Sequence, residues 1–185
     1  MTSHAEPDHP DIEKILITHE EIQARLAVLG EEISQHYRGE EVVTAAVLKG
    51  AFIVLADFAR NLSIDTVFDF MAVSSYGAST KSSGVVRILK DLDTDIEGRH
   101  LLIVEDIIDS GLTLSYLLKN LRARKPASIE IMSLLVKPDQ LQVELPVRWT
   151  GFEVPNEFVV GYGLDYAEKY RTLPYIGTLK PEVYA

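Results

Sequence analysis

The apolar residues of this 185-residue chain fall into short continuous runs, separated by stretches in which apolar residues recur at helical spacing. A short apolar run bounded by polar residues is typical of a strand that is buried on both faces, as in a parallel sheet. Strands that alternate with helices predict an α/β fold with a mainly parallel, twisted sheet flanked by helices. The runs predict strands at residues 42–48, 67–73, 85–89, 101–104, 129–136 and 158–160.

Three helices are predicted between these runs. Thr18 and Glu21 have the spacing of a capping box, which marks the start of the first helix. Because there is neither an internal repeat nor a linker, we expect a single domain over residues 1–185, with a disordered segment at residues 1–11. The apolar faces of the helices comprise Ile22, Leu26, Leu29 and Ile33; Ala51, Leu55, Phe58 and Leu62; and Leu114, Leu117, Leu118 and Leu121.

The composition argues against several classes of protein. The chain has 18 Lys and Arg against 28 Asp and Glu, a net charge of −10. We therefore expect no nucleic-acid partner, because such proteins neutralise phosphates with basic side chains. The absence of cysteine from the sequence excludes disulfides and thiolate catalysis. No apolar run approaches the roughly 20 residues that span a bilayer, and no signal segment is present, so we expect a cytoplasmic protein with no membrane partner.

Polar residues follow three of the predicted strands at the points where those strands end. In open α/β sheets, ligands bind beyond the carboxyl ends of the strands, so these residues are expected to share one site. The groups are Lys49 and Gly50 after the first strand, Glu105, Asp106 and Asp109 after the fourth, and Lys137 after the fifth.

The segment from Glu105 to Thr113 carries the strongest indication of chemistry. Three carboxylates on a short loop repel one another unless a cation or a hydrogen-bond donor lies between them. Ser110, Gly111 and Thr113 then lead into a helix, a pattern typical of phosphate binding. Acids beside a phosphate site suit a sugar phosphate, whose hydroxyls or bound Mg²⁺ they would hold. The alternative is an acidic surface turn before an ordinary helix. An aspartic protease is rejected, because its Asp-Ser-Gly would occur twice in an all-β frame.

Five segments, in order along the chain, resemble motifs of the type I phosphoribosyltransferases. Residues 104–113, Val-Glu-Asp-Ile-Ile-Asp-Ser-Gly-Leu-Thr, resemble the signature with which this family binds 5-phosphoribosyl 1-pyrophosphate (PRPP). The other four resemble the pyrophosphate loop at residues 48–51, the mobile lid at 75–77, the strand with a purine-contacting lysine at 134–137, and the C-terminal hood at 158–166 with Arg171. Ala51 stands where the family often has a second glycine. The ordered set is more specific than any single motif.

The resemblance implies a role for each matching residue, with the core at about residues 40–137 and a small hood formed by the N-terminal segment and residues 138–185. It implies that Asp109, Ser110, Gly111, Leu112 and Thr113 bind the nucleotide phosphate, and that Glu105 and Asp106 bind the ribose. It implies pyrophosphate binding by Lys49, Gly50 and Arg171, a lid with Ser75 and Tyr76, and purine binding by Lys137, Phe158, Val159 and Asp165. It implies Mg²⁺ as cofactor, held by Glu105, Asp106 and Asp165.

The reaction implied by the resemblance is purine salvage. PRPP and hypoxanthine or guanine would give IMP or GMP and pyrophosphate through an oxocarbenium-like transition state, with Asp109 as general base. Two alternatives stay open: an enzyme that prefers xanthine, and a regulator that senses PRPP without catalysis. The resemblance also implies a homodimer or a homotetramer.

Overall fold

The computed structural model describes residues 8–75 and 86–184. Within these residues, a main sheet has six strands and a smaller sheet has three. The strands are β1 (Ile12–Ile17), β2 (Val42–Leu48), β3 (Thr66–Ser75), β4 (Val86–Lys90), β5 (His100–Ile108), β6 (Ser128–Val136), β7 (Val147–Glu153), β8 (Val159–Val160) and β9 (Ile176–Leu179). The α-helices are α1 (His19–His36), α2 (Phe52–Ala59), α3 (Leu112–Arg122) and α4 (Pro181–Tyr184), and Pro138–Gln140 forms a 3₁₀ turn.

The main sheet has the strand order β4-β3-β2-β5-β6-β7. All neighbouring strands are parallel except β3 and β4, which are antiparallel. The prediction of an α/β fold with a mainly parallel sheet is therefore confirmed. β2 and β5 lie at the centre, where side chains on both faces are buried, which explains why these strands are continuous apolar runs in the sequence.

The predicted helices are present, and the buried faces of α1 and α3 include the predicted residues. α2 ends at Ala59, so the predicted Leu62 lies beyond it, and Val54 is buried beside the predicted Leu55 and Phe58. Thr18 and Glu21 form the capping box at the start of α1, with both reciprocal hydrogen bonds made. The apolar residues of α1 and α2 pack on one face of the main sheet, and those of α3 pack on the other. The sheet is thus covered on both faces, as a parallel sheet requires. Among the described residues, no helix is both long enough and apolar enough to cross a bilayer.

The smaller sheet is antiparallel and has the order β1-β9-β8, so it joins residues from near the two ends of the chain. β1 and β9 were not predicted from the sequence. β1 has bulges in its pairing with β9, and its buried positions do not alternate regularly, so it lacks the pattern of a strand. Just before it, Asp8 and Asp11 accept hydrogen bonds from Tyr175 and Tyr170. The assignment of this part of the chain to a hood stays a prediction.

Candidate active site

Glu105 and Asp106 lie within β5 rather than on a loop after it, so the predicted end of this strand at residue 104 is wrong. β5 continues to Ile108 because its pairing with β6 continues, and Glu105 lies opposite Ser133. Neighbouring side chains of a strand point to opposite faces of the sheet. The two carboxylates therefore leave the strand in different directions, and they are held by rigid backbone.

Glu105 is buried and Asp106 is partly buried, and both are easier to protonate than usual. Burial, and then the charge of Asp106, raise the pKa of Glu105 well above its ordinary value. Burial raises the pKa of Asp106 to about 6, although its hydrogen bond from the Ile107 N–H and the nearby Arg171 guanidinium act in the other direction. Few hydrogen bonds or cations stabilise the negative charges of these two carboxylates. The pair therefore suits a ligand that brings hydroxyl donors or a cation.

A cavity of about 180 Å³ lies at the end of β5. Its floor and rim include the turn at residues 109–111 and the first turn of α3. Gly111 precedes α3 with a φ of +76°, a backbone conformation that glycine adopts without strain, and it offers no side chain to the first amides of the helix. The cavity therefore combines a helix N-terminus with hydroxyl groups, which suits an anion. Its described lining is Val47, Glu105, Ile107, Ile108, Asp109, Ser110, Gly111, Thr113 and Leu114, whereas Leu112 is exposed on α3.

Lys137 is brought to the same turn from β6. Its backbone N–H donates to the Ile108 carbonyl at 2.9 Å. Its ammonium lies 3.5 Å from Asp109 Oδ2, and its side chain is only 9% exposed. The residue predicted to bind the purine is thus next to the residue predicted to act as general base.

Lys49 and Arg171, both predicted to bind pyrophosphate, converge on one carboxylate that the sequence analysis missed. Glu168 accepts hydrogen bonds from Lys49 Nζ and Arg171 Nη2, each at 3.2 Å. Arg171 Nη2 also lies 2.9 Å from Asp165 Oδ1. Arg171 Nε is buried and has no hydrogen-bond partner among the described residues. The sequence contains one signal for Glu168, the cation Arg171 three residues later. The pairing with Lys49, which is 119 residues away, leaves no such signal.

Gly50 is the point where three segments of the site meet. A Cβ atom at Gly50 would lie 1.7 Å from Asp106 Oδ2, and a Cβ atom at Gly163 would lie 2.1 Å from the Gly50 carbonyl oxygen. The Gly163 carbonyl in turn accepts a hydrogen bond from Arg171 Nη1 at 2.8 Å. The backbone of residues 49–50, whose Leu48–Lys49 peptide bond is cis, is therefore packed directly between β5 and the segment that carries Arg171.

The three predicted metal ligands do not form a ready-made cage. Within residues 8–75 and 86–184, no three His, Asp or Glu side chains are gathered closely enough to hold a metal ion. Asp165 already pairs with Arg171 and accepts the Glu168 N–H. Glu105 and Asp106 offer carboxylate oxygen atoms that make few other contacts. Mg²⁺ commonly uses one or two carboxylates and completes its shell with water and substrate oxygens, so each of these residues can supply one ligand to such an ion.

Val159 is the first residue of β8, and Phe158 directly precedes it. The Phe158 ring is 47% exposed and packs edge-on against Tyr166 at 5.7 Å between ring centroids, with Tyr184 at 6.2 Å. Val159 is buried in the core. An exposed aromatic face of this kind suits stacking on a planar ligand. The purine-binding role of both residues stays a prediction.

The predicted lid falls at the edge of the described structure. Ser75 is the last residue of β3, whereas Tyr76 lies outside the described residues. The lid therefore stays a prediction.

Known proteins resemble this chain in sequence and in structure. Residues 13–167 match the family model of the phosphoribosyl transferase domain. The hypoxanthine-guanine phosphoribosyltransferase of Mycobacterium avium is 57% identical over 180 residues, covering 94% of this chain and 89% of the relative. The protein of that name from Bacillus subtilis is 56% identical over 174 residues, covering 94% and 97%. A crystal structure of a hypoxanthine phosphoribosyltransferase from Staphylococcus aureus superposes with a TM-score of 0.92, at 44% identity and 96% coverage of each chain. On this sequence and structural similarity, the chain belongs to the phosphoribosyltransferase family and has its type I fold.

Proposed function

We propose that this chain transfers the 5-phosphoribosyl group from PRPP to N9 of hypoxanthine or guanine, giving IMP or GMP and pyrophosphate in purine salvage. The observation that carries the proposal is the order of groups at the end of β5. Buried Glu105 and partly buried Asp106 lead directly into the cavity at residues 109–113, and Lys137, which follows the neighbouring strand, lies 3.5 Å from Asp109. Relatives at 56–57% identity carry the name of this activity.

The binding of a ribose phosphate follows from the cavity. Its 5′-phosphate would accept hydrogen bonds from the hydroxyls of Ser110 and Thr113 and from the first amides of α3. The ribose hydroxyls would donate to Glu105 and Asp106. The ribose hydroxyls would stabilise the charged form of both carboxylates, and they would therefore lower the pKa values of Glu105 and Asp106.

The reaction exchanges one bond at the anomeric carbon for another. The bond between C1 and the pyrophosphate oxygen breaks, and its electron pair leaves with pyrophosphate, whose charge Lys49 and Arg171 stabilise. The N9 lone pair of the base forms the new bond to C1. Carboxylates near the ribose offset the positive charge that develops on it in the transition state. The imidazole-ring proton of the purine passes to Asp109.

Mg²⁺ would be held by Glu105 and Asp106, with Asp165 as a further candidate ligand once it is released from Arg171. A bound Mg²⁺ supplies charge neutralisation and orientation of phosphate and hydroxyl oxygens. Its fit is supported by the all-oxygen donor set and by the burial of Glu105.

The choice of base depends on the group at position 6 of the purine. The Lys137 ammonium has only donors, so it can bind a 6-oxo group but not a 6-amino group that also donates. Phe158 would stack on the purine, with Val159 beside it. Hypoxanthine and guanine are accordingly accepted, and adenine is rejected.

The test is a coupled assay for pyrophosphate release with PRPP, Mg²⁺ and each of four purines. We expect turnover with hypoxanthine and guanine, far less with adenine, and loss of turnover when the metal is omitted. Faster turnover with xanthine than with hypoxanthine or guanine would show that xanthine is the preferred substrate. Binding of PRPP without pyrophosphate release for any purine would identify a regulator and overturn the proposed activity.

Three further features are part of this proposal. A lid with Ser75 and Tyr76 would exclude water, which competes with the purine for the ribose. Assembly as a homodimer or homotetramer is implied by the family resemblance, and a cytoplasmic location is expected from the sequence. We expect that deletion of residues 75–84 reduces transfer but leaves nucleotide binding intact.

A further inference from the structure

Glu168 occupies an unusual position for an acidic residue, because it lies between the two cations predicted to bind pyrophosphate. Its carboxylate accepts hydrogen bonds from Lys49 Nζ and Arg171 Nη2, and these atoms belong to segments far apart in the chain. The interaction keeps Glu168 charged, since the hydrogen bonds from Lys49 and then from Arg171 hold its pKa below the ordinary value. A bridge of this form resembles the contacts that a phosphate oxygen would make.

The backbone holds the carboxylate at this point. Ala167 and Glu168 have φ values of +51° and +63°, which non-glycine residues seldom adopt. The Glu168 N–H donates to Asp165 Oδ2 at 2.9 Å, which fixes the turn. Backbone of this kind persists only where its surroundings require it.

We propose that the Glu168 carboxylate competes with an oxygen of the pyrophosphate group for the position between Lys49 and Arg171, and that displacement of Glu168 sets the affinity for pyrophosphate and PRPP. This inference rests on the proposed function, in particular on Lys49 and Arg171 as pyrophosphate ligands. Glu168 is thus an affinity-determining residue, and it takes no part in bond making at the ribose.

The strengths of the competing interactions favour displacement. The side chains of Lys49 and Glu168 are 68% and 65% exposed, and an ion pair between exposed side chains is weak and is screened by salt. Pyrophosphate carries several negative charges and can bind both cations at once. It therefore replaces the single carboxylate, and the carboxylate returns to the cations as pyrophosphate leaves.

The experiment is a calorimetric titration of the full chain with magnesium pyrophosphate, together with product-inhibition kinetics. Loss of a competing exposed ion pair is expected to lower the dissociation constant of Glu168→Gln about two- to fivefold. Glu168→Asp keeps the charge but is too short to reach both cations, so we expect it to bind more tightly than wild type as well. Glu97→Gln makes the same change of charge at an exposed turn remote from these residues, and its dissociation constant should equal that of wild type.

Each other result overturns the inference in a recognisable way. Weaker binding by Glu168→Gln would mean that the carboxylate supports the site. Tighter binding by Gln with unchanged binding by Asp would mean that net charge alone matters. In a Lys49→Gln background, the effect of Glu168→Gln should shrink, and an undiminished effect would contradict competition for Lys49. If wild type binds no pyrophosphate and has no transferase activity, the proposed function itself fails, whereas normal wild-type turnover with an unaltered variant removes only this inference.

Discussion

Asp106 and Gly50 are in such close contact that a side chain at position 50 would displace the carboxylate. The added Cβ of Gly50→Ala would lie 1.7 Å from Asp106 Oδ2. Asp106 has little freedom to move, because its side chain is short and its Oδ1 accepts the Ile107 N–H at 2.8 Å. We expect Gly50→Ala to lower the free energy of unfolding by about 1–3 kcal/mol and kcat/KM for PRPP by about 10- to 100-fold, measured by urea unfolding and steady-state kinetics.

Gly39→Ala separates this steric effect from backbone strain. Gly39 has a φ of +84° but no atom within 4 Å of an added Cβ, so its substitution strains the backbone without touching the site. Its kcat/KM should equal that of wild type. Full activity in Gly50→Ala would show that Asp106 need not occupy the position described here.

Asp109 is expected to accept the proton of the purine, and its neighbour Lys137 keeps it in place. Asp109→Asn has nearly the same shape but cannot take up a proton at neutral pH. We expect kcat with hypoxanthine to fall by about 10²- to 10⁴-fold, with little change in the dissociation constant of pyrophosphate. Rapid-quench and equilibrium binding measurements separate the two effects.

Asp139→Asn is the matched control, because it removes the same charge from an exposed residue two positions after Lys137. Its turnover should be that of wild type. Unchanged turnover in Asp109→Asn would show that another group is the base.

Elements of the fold could be predicted from the sequence wherever burial produced a regular pattern. The runs of β2 and β6 are examples, because most residues of both strands are buried. The capping box at Thr18 could be predicted for another reason, because it is a local hydrogen-bonding motif with a fixed spacing. The end of β5 could not be predicted in this way. Glu105 and Asp106 are polar residues within a strand, which continues through them because β5 still pairs with β6 at Glu105, Ile107 and Ile108. Glu168 was missed for a related reason, since its partner Lys49 is distant in sequence.

β3 and the turn after β4 are joined by one buried carboxylate. Asp69 of β3 accepts the N–H groups of Asp93 and Thr94 at 2.9 and 2.8 Å, and Lys90 Nζ lies 3.5 Å away. Burial acts to raise the pKa of Asp69, but the hydrogen bonds from Thr94 and Phe70 and the charge of Lys90 outweigh it, so the pKa is lowered. The folded state is therefore stabilised by the ionised form of Asp69.

Because the folded pKa is the lower one, this stabilisation is fully present above the unfolded pKa of about 4 and disappears as pH falls through the folded value. We expect Asp69→Asn to cost about 1–3 kcal/mol of unfolding free energy at pH 7, and the difference from wild type to shrink below about pH 4. Urea unfolding at a series of pH values measures it.

Asp93→Asn serves as control, because the Asp93 carboxylate is 85% exposed and pairs only with Lys90 among the described residues. It should change stability by less than about 1 kcal/mol at any pH. A difference between Asp69→Asn and wild type that persists at low pH would show that ionised Asp69 is not the source of the stabilisation.

The segment between β8 and β9 links the site to the helices of the main sheet. Tyr162 is buried, and its hydroxyl donates to Asp57 of α2 and accepts a hydrogen bond from Gln23 of α1 at 2.9 Å. Its neighbour Gly163 contacts Gly50 and accepts a hydrogen bond from Arg171. The position of Arg171 thus depends on helices that pack against the main sheet. Loss of the hydrogen bonds between Tyr162 and these helices should therefore alter pyrophosphate binding.

Tyr162→Phe tests this connection, because it keeps the ring in the core and removes only the hydroxyl. We expect a loss of about 1–3 kcal/mol of unfolding free energy, since Asp57 loses a hydrogen bond, and a rise in KM for PRPP of about threefold or more, since Gly163 and Arg171 are less firmly held. Tyr175→Phe also removes a phenol–carboxylate hydrogen bond, to Asp8 before β1, and should leave KM for PRPP unchanged. Equal KM values in wild type and both variants, together with a loss of stability in Tyr162→Phe, would show that this loop supports the fold without positioning Arg171.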